Sequence, residues 1–311
     1  SIMPSVYLFM SLYLMSFMLV MGGDDWFEVW IGLEINMISF IMMIYFRFNQ
    51  DCLESCLKYF FVQSLGSAMF ISMIYINMMS GLLMMLLSYS MGAGPFYFWF
   101  PSVCSGLKWM SCFILMTLQK ILPLVLLSVY LGWLINLIIM MSLILGTFGS
   151  FNQSEFKQLM AYSSIYHLGW IILCNKYNDV IWIMYLLIYS FVIFSIMYVM
   201  SDKEMLSFML KGEWDKSWWF VFCMLSMAGM PPLLGFFLKW MVFEIILNLD
   251  NLWMLLLIIT SVVMFYVYFR IIYDIIMCFK STMVYIMFKK MDYFMLGGLA
   301  SGMGMLMLFF F

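Results

Sequence analysis

Three ionisable residues stand where an ionisable group is least favoured. Glu34 in WIGLEINMISF, Lys120 in LMTLQKILPLV and Lys239 in LLGFFLKW each have apolar residues running on both sides. A charge in the middle of a bilayer costs roughly 2.5–3.5 kcal/mol on insertion scales, so each needs a partner or water. A carboxylate and two amines in such surroundings are suited to holding, releasing and passing on a proton or its charge. A lysine kept from water gives up its proton more readily, and a change in a neighbour's charge then changes its occupancy. Lys58 and Arg270 are the weaker cases, because a long side chain near a span end can carry its charge to the interface. Glu244 follows Lys239 by five residues, just off the ideal same-face spacing, and is expected near the same pocket. The single histidine, His167, has Ser163, Ser164 and Tyr166 beside it. Two readings of it stay open, a packed hydrogen-bonded residue and a water-linked proton carrier.

The elements that must position these residues are broken ones. MGAGPFYFWFP (Met91–Pro101) interrupts one apolar run and AGMPPLLGFF (Ala228–Phe237) another, while Pro123 follows Lys120 by three residues. Proline removes an amide donor and collides with the preceding turn, which frees carbonyls for water or a cation. Breaks at corresponding places in two halves are the sequence pointer to an inverted-repeat transporter. A plain kink is the simpler reading of either break, and the lysine beside the second argues against it there.

The composition sets the frame. Of 311 residues, 67% are hydrophobic and 10% charged, where a soluble domain is about half apolar and a quarter charged. The chain is therefore expected to be an all-α, polytopic membrane protein. Apolar runs near 3–21, 26–46, 57–79, 82–100, 106–127, 129–148, 155–174, 180–200, 217–247 (broken), 252–278 and 293–311 give about eleven spans. The connections are short, so one transmembrane domain covers 1–311; the longest polar link, Ser201–Lys216, is expected to form a surface helix. With eleven spans, Arg47, Lys58, Lys108 and Lys157, with the lysines of 201–216 and 280–290, collect on one side and Lys176 stands on the other. That places the N-terminus in the positive compartment and the C-terminus opposite. The N-terminus is itself a span, with no cleavable presequence in view. A net charge of −2 argues against a nucleic-acid partner. The seven cysteines, with one histidine, show no zinc spacing. No dinucleotide fingerprint, phosphate loop, haem or iron–sulfur ligand set is present, so no cofactor is expected on this chain. Thirty-nine methionines and 32 phenylalanines fit an AT-rich, organelle-type coding genome.

WIGLEINMISFI, ESCLKYFFVQS, GAGPFYFWFP, LQKILPL, FNQSEFKQLMAYSSIYHLGW, LSMAGMPPLLGFFLKW and FYVYFRIIY follow one another along nearly the whole chain. In that order they resemble the signature segments of the subunit 2 family of mitochondrial NADH dehydrogenase, complex I. The resemblance implies an antiporter-like fold of eleven helices with two inverted repeats. A first repeat would cover about 26–148 with helix 1 at 3–21, a second about 155–278, and a C-terminal helix 293–311. It implies a proton-translocating membrane-arm subunit of the mitochondrial inner membrane, N-terminus in the matrix and C-terminus in the intermembrane space. Its partners would be the other membrane-arm subunits and phospholipids, with electron transfer from NADH to ubiquinone performed elsewhere in the complex. Residue by residue, Glu34, Lys120, Lys239 and His167 match family positions. Ser90 stands where the family usually has a lysine. Counting inward from the span ends puts Glu34 and Ser90 at one depth, about 12 Å below the surface. A serine cannot pair with the carboxylate, so Glu34 is expected to reach Lys120 through water that Ser90 helps to hold, or to be protonated. The residues alone leave two other readings open, a stand-alone cation/proton antiporter and a purely structural membrane subunit.

Overall fold

The computed structural model describes residues 4–45, 49–76, 80–130, 132–177, 180–201, 214–247 and 251–278. The surface helix expected over 201–216 lies largely outside the described residues, and the C-terminal helix expected at 293–311 wholly outside them. Everything described is helix or connection. The helices are α1 (Pro4–Gly22), α2 (Trp26–Ile44), α3 (Gln50–Tyr75), α4 (Ser80–Met91), α5 (Trp99–Gly106), α6 (Trp109–Met116), α7 (Leu118–Val129), α8 (Leu134–Phe151), α9 (Phe156–Tyr177), α10 (Ile181–Ser201), α11 (Trp214–Ala228), α12 (Leu234–Leu247) and α13 (Asn251–Cys278). Among the described residues, six helical stretches are long and apolar enough to cross a membrane: Trp26–Ile44, Gln50–Tyr75, Trp109–Val129, Leu134–Phe151, Ile181–Met200 and Leu252–Ile276. α9 has the length but is diluted by Ser163, Ser164, His167 and Asn175, all buried.

The burial pattern is that of a protein whose solvent is lipid. Leu14 and Met18 on α1, Leu187 and Phe191 on α10, and Leu255 and Val262 on α13 are exposed, while Ser16, Asn36, Ser142 and Thr147 are buried. Buried hydroxyls satisfy themselves locally: Ser142, Ser163 and Ser164 each donate to a carbonyl three residues back in their own helix. In hydrocarbon no water is at hand to replace such bonds. Cys52, Cys56, Cys104, Cys112, Cys174 and Cys223 are free thiols.

The chain forms two compact units, Ser1–Lys176 and the part from Tyr177 onward. In the first, α1 packs on α2, α2 on α3, and α3 on both α4 and α5; α4 also meets α7 and α8. Asn36 on α2 donates to Ser16 on α1 at 3.1 Å, and the Trp30 indole to the Ser67 carbonyl on α3 at 3.1 Å. Lys157 at the start of α9 donates to the carbonyl of Leu107 at 2.7 Å, a cation at the carbonyl end of α5. In the second unit α11 packs against α10, α12 and α13.

Both glycine–proline stretches interrupt the helix, and both close the first half in the same way. α4 ends at Met91, and Gly92 follows with φ +68. α11 ends at Ala228, and Gly229 follows with φ +85. A residue with a Cβ is disfavoured there. The next amide reaches back five residues in each case, Ala93 to Ser88 at 2.9 Å and Met230 to Leu225 at 3.3 Å, the six-to-one bond of a Schellman cap. Prolines then prevent the chain from resuming the helix at once. A further interruption has no such signal in sequence. The expected span at 106–127 divides into α6 and α7 at Thr117, with φ −120 and ψ −75. Pro123 lies inside α7 and removes the amide that would pair with the Gln119 carbonyl; at the break itself the Thr117 hydroxyl donates to the Phe113 carbonyl at 2.7 Å, a back-bond that bends helices.

Candidate functional site

Each unit brings one buried lysine to the second half of an interrupted helix. In the first, Lys120 is the third residue of α7, just past the Thr117 break, and its side chain is 3% exposed. Its ammonium donates to the carbonyl of Ser164 on α9 at 3.3 Å and lies 4.7 Å from the centre of the Phe100 ring on α5. A carbonyl and a π face are fair partners for an ammonium, yet neither neutralises its charge. His167 lies one turn beyond Ser164 on α9, buried, with its ring edge-on to Tyr166 at 5.2 Å.

In the second unit Lys239 is 7% exposed and its ammonium donates to the Ala228 carbonyl at 2.7 Å. The lysine on α12 thus closes onto the last residue of α11. Gly229 makes room for it: a Cβ added there would stand 2.8 Å from the Lys239 nitrogen. Gly235 sets how close the two halves come, since a Cβ there would fall 1.6 Å from the Ser226 carbonyl oxygen. The motif SMAGMPPLLGFFLKW is therefore one local construction: a cap, a turn, a close helix–helix approach, and a lysine directed back at the cap.

Glu34 occupies a different place. Its carboxylate accepts from the Ser67 hydroxyl of α3, and it lines a cavity of about 50 Å³ with Gln63, Ser67, Ser90, Gln119 and Pro123. The expected common depth of Glu34 and Ser90 agrees with their sharing this cavity. Ser90 does not turn its hydroxyl towards the carboxylate; that hydroxyl donates to Leu87 at 2.9 Å, and the Ser90 carbonyl accepts from Gln63 at 2.8 Å. Nor does Lys120 line the cavity. Successive helix residues point about 100° apart, so Gln119 lines the cavity with Glu34 while Lys120 is turned to α9. Among the described residues Glu34 and Lys120 have separate direct partners, the Ser67 hydroxyl and the Ser164 carbonyl. The expectation for Glu244 is corrected. That residue is exposed, because five residues carry it about 140° around α12 from Lys239, and the structure does not bring the two together.

The residues that sequence reasoning missed are neutral. Tyr59, Gln63 and Ser67 recur at intervals of four on α3, one face of a helix. Tyr59 donates to Gln119 Oε1 at 3.2 Å, which ties that face to the α7 turn bearing Lys120. A polar stripe at helical spacing inside an apolar span was the signal available for them.

The arrangement supplies what charge transfer through a membrane interior needs: isolated buried ammonium groups, carbonyls at helix ends, and a polar cavity beside a carboxylate. A family described as NADH:quinone oxidoreductase/Mrp antiporter, transmembrane, matches residues 71–265. A Locusta migratoria protein named NADH-ubiquinone oxidoreductase chain 2 is 33% identical over 307 residues, covering 92% of this chain and 89% of that protein. The Anopheles gambiae protein of the same name is 34% identical over 294 residues, 87% of this chain and 85% of that one. Among solved structures, a chain of respiratory complex I from Thermus thermophilus matches with TM-score 0.77 at 24% identity, covering 87% of this chain and 70% of that chain. A chain of the Mrp complex from Dietzia sp. DQ12-45-1b matches with TM-score 0.65 at 15% identity, covering 82% and 56%. These two structural likenesses speak for the fold alone.

Proposed function

We propose a function from one premise: this chain belongs to the NADH:quinone oxidoreductase/Mrp antiporter family, and within it to the proteins named NADH-ubiquinone oxidoreductase chain 2. It serves as a membrane-arm subunit of respiratory complex I in the mitochondrial inner membrane. Other subunits carry electrons from NADH to ubiquinone. This chain binds no redox cofactor and helps to convert that reaction into proton translocation, so it is part of an enzyme without holding its redox chemistry. Lys120 and Lys239 hold or release charge in the membrane interior, and Glu34 works in the polar cavity of the first unit. The other membrane-arm subunits and phospholipids are its partners.

The observation that carries this reading is a buried lysine placed just past a helix interruption in each unit, in a chain of that family. The matching caps at Gly92 and Gly229 support two repeats of one design, and the apolar runs support eleven spans. The one-sided distribution of Lys and Arg supports an N-terminus in the matrix and a C-terminus in the intermembrane space.

Two measurements test it. Solubilised in mild detergent, the chain is expected to co-migrate with a large NADH-oxidising assembly; migration alone, with cation exchange intact, favours a stand-alone antiporter instead. In the assembled complex, Lys239→Met is expected to lower proton pumping and quinone-linked turnover while assembly is kept. Full pumping in that variant overturns the role given to Lys239.

A further inference from the structure

The cavity beside Glu34, about 50 Å³, has room for a few waters at about 10–15 Å³ each. Two of its walls are chemically complementary. On α2, the Glu34 carboxylate has two oxygens, and the Ser67 hydroxyl engages only Oε1. On α7, the side-chain nitrogen of Gln119 is buried and has no hydrogen-bond partner among the described residues. Tyr59 decides which end of that amide is left over, because its hydroxyl donates to Gln119 Oε1. An amide nitrogen left unpaired in apolar surroundings is strongly unfavourable, and the cavity is where it can be met. Pro123, one turn on, also lines the cavity and has no N–H for the Gln119 carbonyl. Gln119 therefore brings a spare donor to the cavity that Glu34 shares. Ser90 supplies no donor from its hydroxyl, whose O–H is committed to Leu87.

We propose that Gln119 is a positioning residue for Glu34: water in this cavity is held between the Gln119 amide and the Glu34 carboxylate, and Tyr59 locks the amide in the donating orientation. Gln119 is next to Lys120 in the first turn of α7, so the hydrogen bonding of Glu34 bears on the turn that carries the lysine. The inference rests on the proposed role of Glu34 in proton translocation, and it adds two neutral residues, Gln119 and Tyr59, to that role.

The test uses the assembled complex with the full chain carrying Gln119→Leu, Tyr59→Phe, or Gln119→Leu together with Ser90→Lys. One readout is the infrared difference spectrum between resting and NADH-reduced complex, with the Glu34 carboxyl bands assigned by their loss in Glu34→Gln. The other is protons translocated per NADH and their rate. Gln119→Leu is expected to shift the Glu34 bands towards a less hydrogen-bonded carboxyl and to slow pumping roughly two- to tenfold, the worth of one hydrogen bond. Tyr59→Phe moves the bands in the same direction by less. Adding Ser90→Lys restores pumping, because an ammonium at position 90 enters the same cavity and donates to Glu34 directly; a merely structural Gln119 gains nothing from it. Where Gln119→Leu does not assemble, Tyr59→Phe, which removes a single oxygen, carries the test. Unchanged Glu34 bands, or no recovery on adding Ser90→Lys, overturn the inference. Failure of the underlying role has its own signature: Glu34→Gln pumps as the parent does, while Gln119→Leu still shifts the Glu34 bands.

Discussion

Lys239 reaches back across the interruption of its own helix: its ammonium donates at 2.7 Å to the carbonyl of Ala228, the last residue before the break. The carbonyl end of a helix half is where a positive charge is favoured, and the Schellman cap at Gly229 leaves that end intact. Charge and break therefore belong to one device, and the device can be dismantled one piece at a time.

Gly229→Ala attacks it by conformation. A φ of +85 costs a residue with a Cβ about 1–2 kcal/mol, and the new Cβ would press on the Lys239 nitrogen 2.8 Å away. The assembled complex is expected to keep its composition but lose heat tolerance and pumping together. Thermal inactivation of NADH-driven proton uptake in vesicles measures both, and an unchanged pair of curves would contradict the packing described.

Gly235→Ala should be worse, for a different reason. Its Cβ would fall 1.6 Å from the Ser226 carbonyl oxygen, a backbone atom that cannot swing aside. α11 and α12 must then part. Native electrophoresis is expected to show the complex missing or stalled as a subassembly, where Gly229→Ala still assembles.

Lys120→Met keeps nearly the same side-chain volume and removes the charge, so assembly should survive. The carbonyl of Ser164 loses its donor and the Phe100 ring its cation. Pumping is expected to fall on the order of a hundredfold, the low end of what one positioned proton-transfer group contributes. Proton uptake per NADH settles this, and a normal ratio at a normal rate would remove Lys120 from the machinery.

Orientation is open to a simpler check. With the N-terminus in the matrix, the charged link 201–216 faces the matrix. Protease should cut it in opened mitochondria or inside-out vesicles and spare it in mitoplasts. Cutting confined to mitoplasts would invert the whole arrangement.

The sequence was most telling where a residue violates its surroundings. Glu34, Lys120 and Lys239 announce themselves because a charge in an apolar run needs a reason, and Gly92, Gly229 and the prolines beside them mark breaks that the backbone confirms. Some helix edges followed within a few residues, as at 26–46 against Trp26–Ile44 and 252–278 against Asn251–Cys278, while the span expected at 57–79 begins at Gln50. What escaped was whatever depends on rotation about a helix axis. Glu244 is one residue off the spacing that would turn it to Lys239. Gln119, which sequence reasoning passed over, lines the cavity with Glu34 while its neighbour Lys120 does not, because 100° separates neighbours. The break at Thr117 carries no glycine or proline of its own, and Pro123 lies well downstream of it, inside α7. Tyr59, Gln63 and Ser67 are neutral, so no desolvation argument singles them out before the packing of α3 on α4 and α2 is known.

The divided helix also sets a problem of biogenesis. α11 has 15 residues and α12 has 14, so at 1.5 Å per residue they measure about 22 and 21 Å, each short of a hydrocarbon core about 30 Å thick. Neither half can cross the bilayer by itself, and the insertion machinery must release the pair as a single passenger. At that moment the broken ladder would meet lipid with its carbonyls bare. The cap at Gly229 and the ammonium of Lys239 cover the end of α11 from within the segment, so this stretch can leave the translocation channel before its neighbours arrive to shelter it.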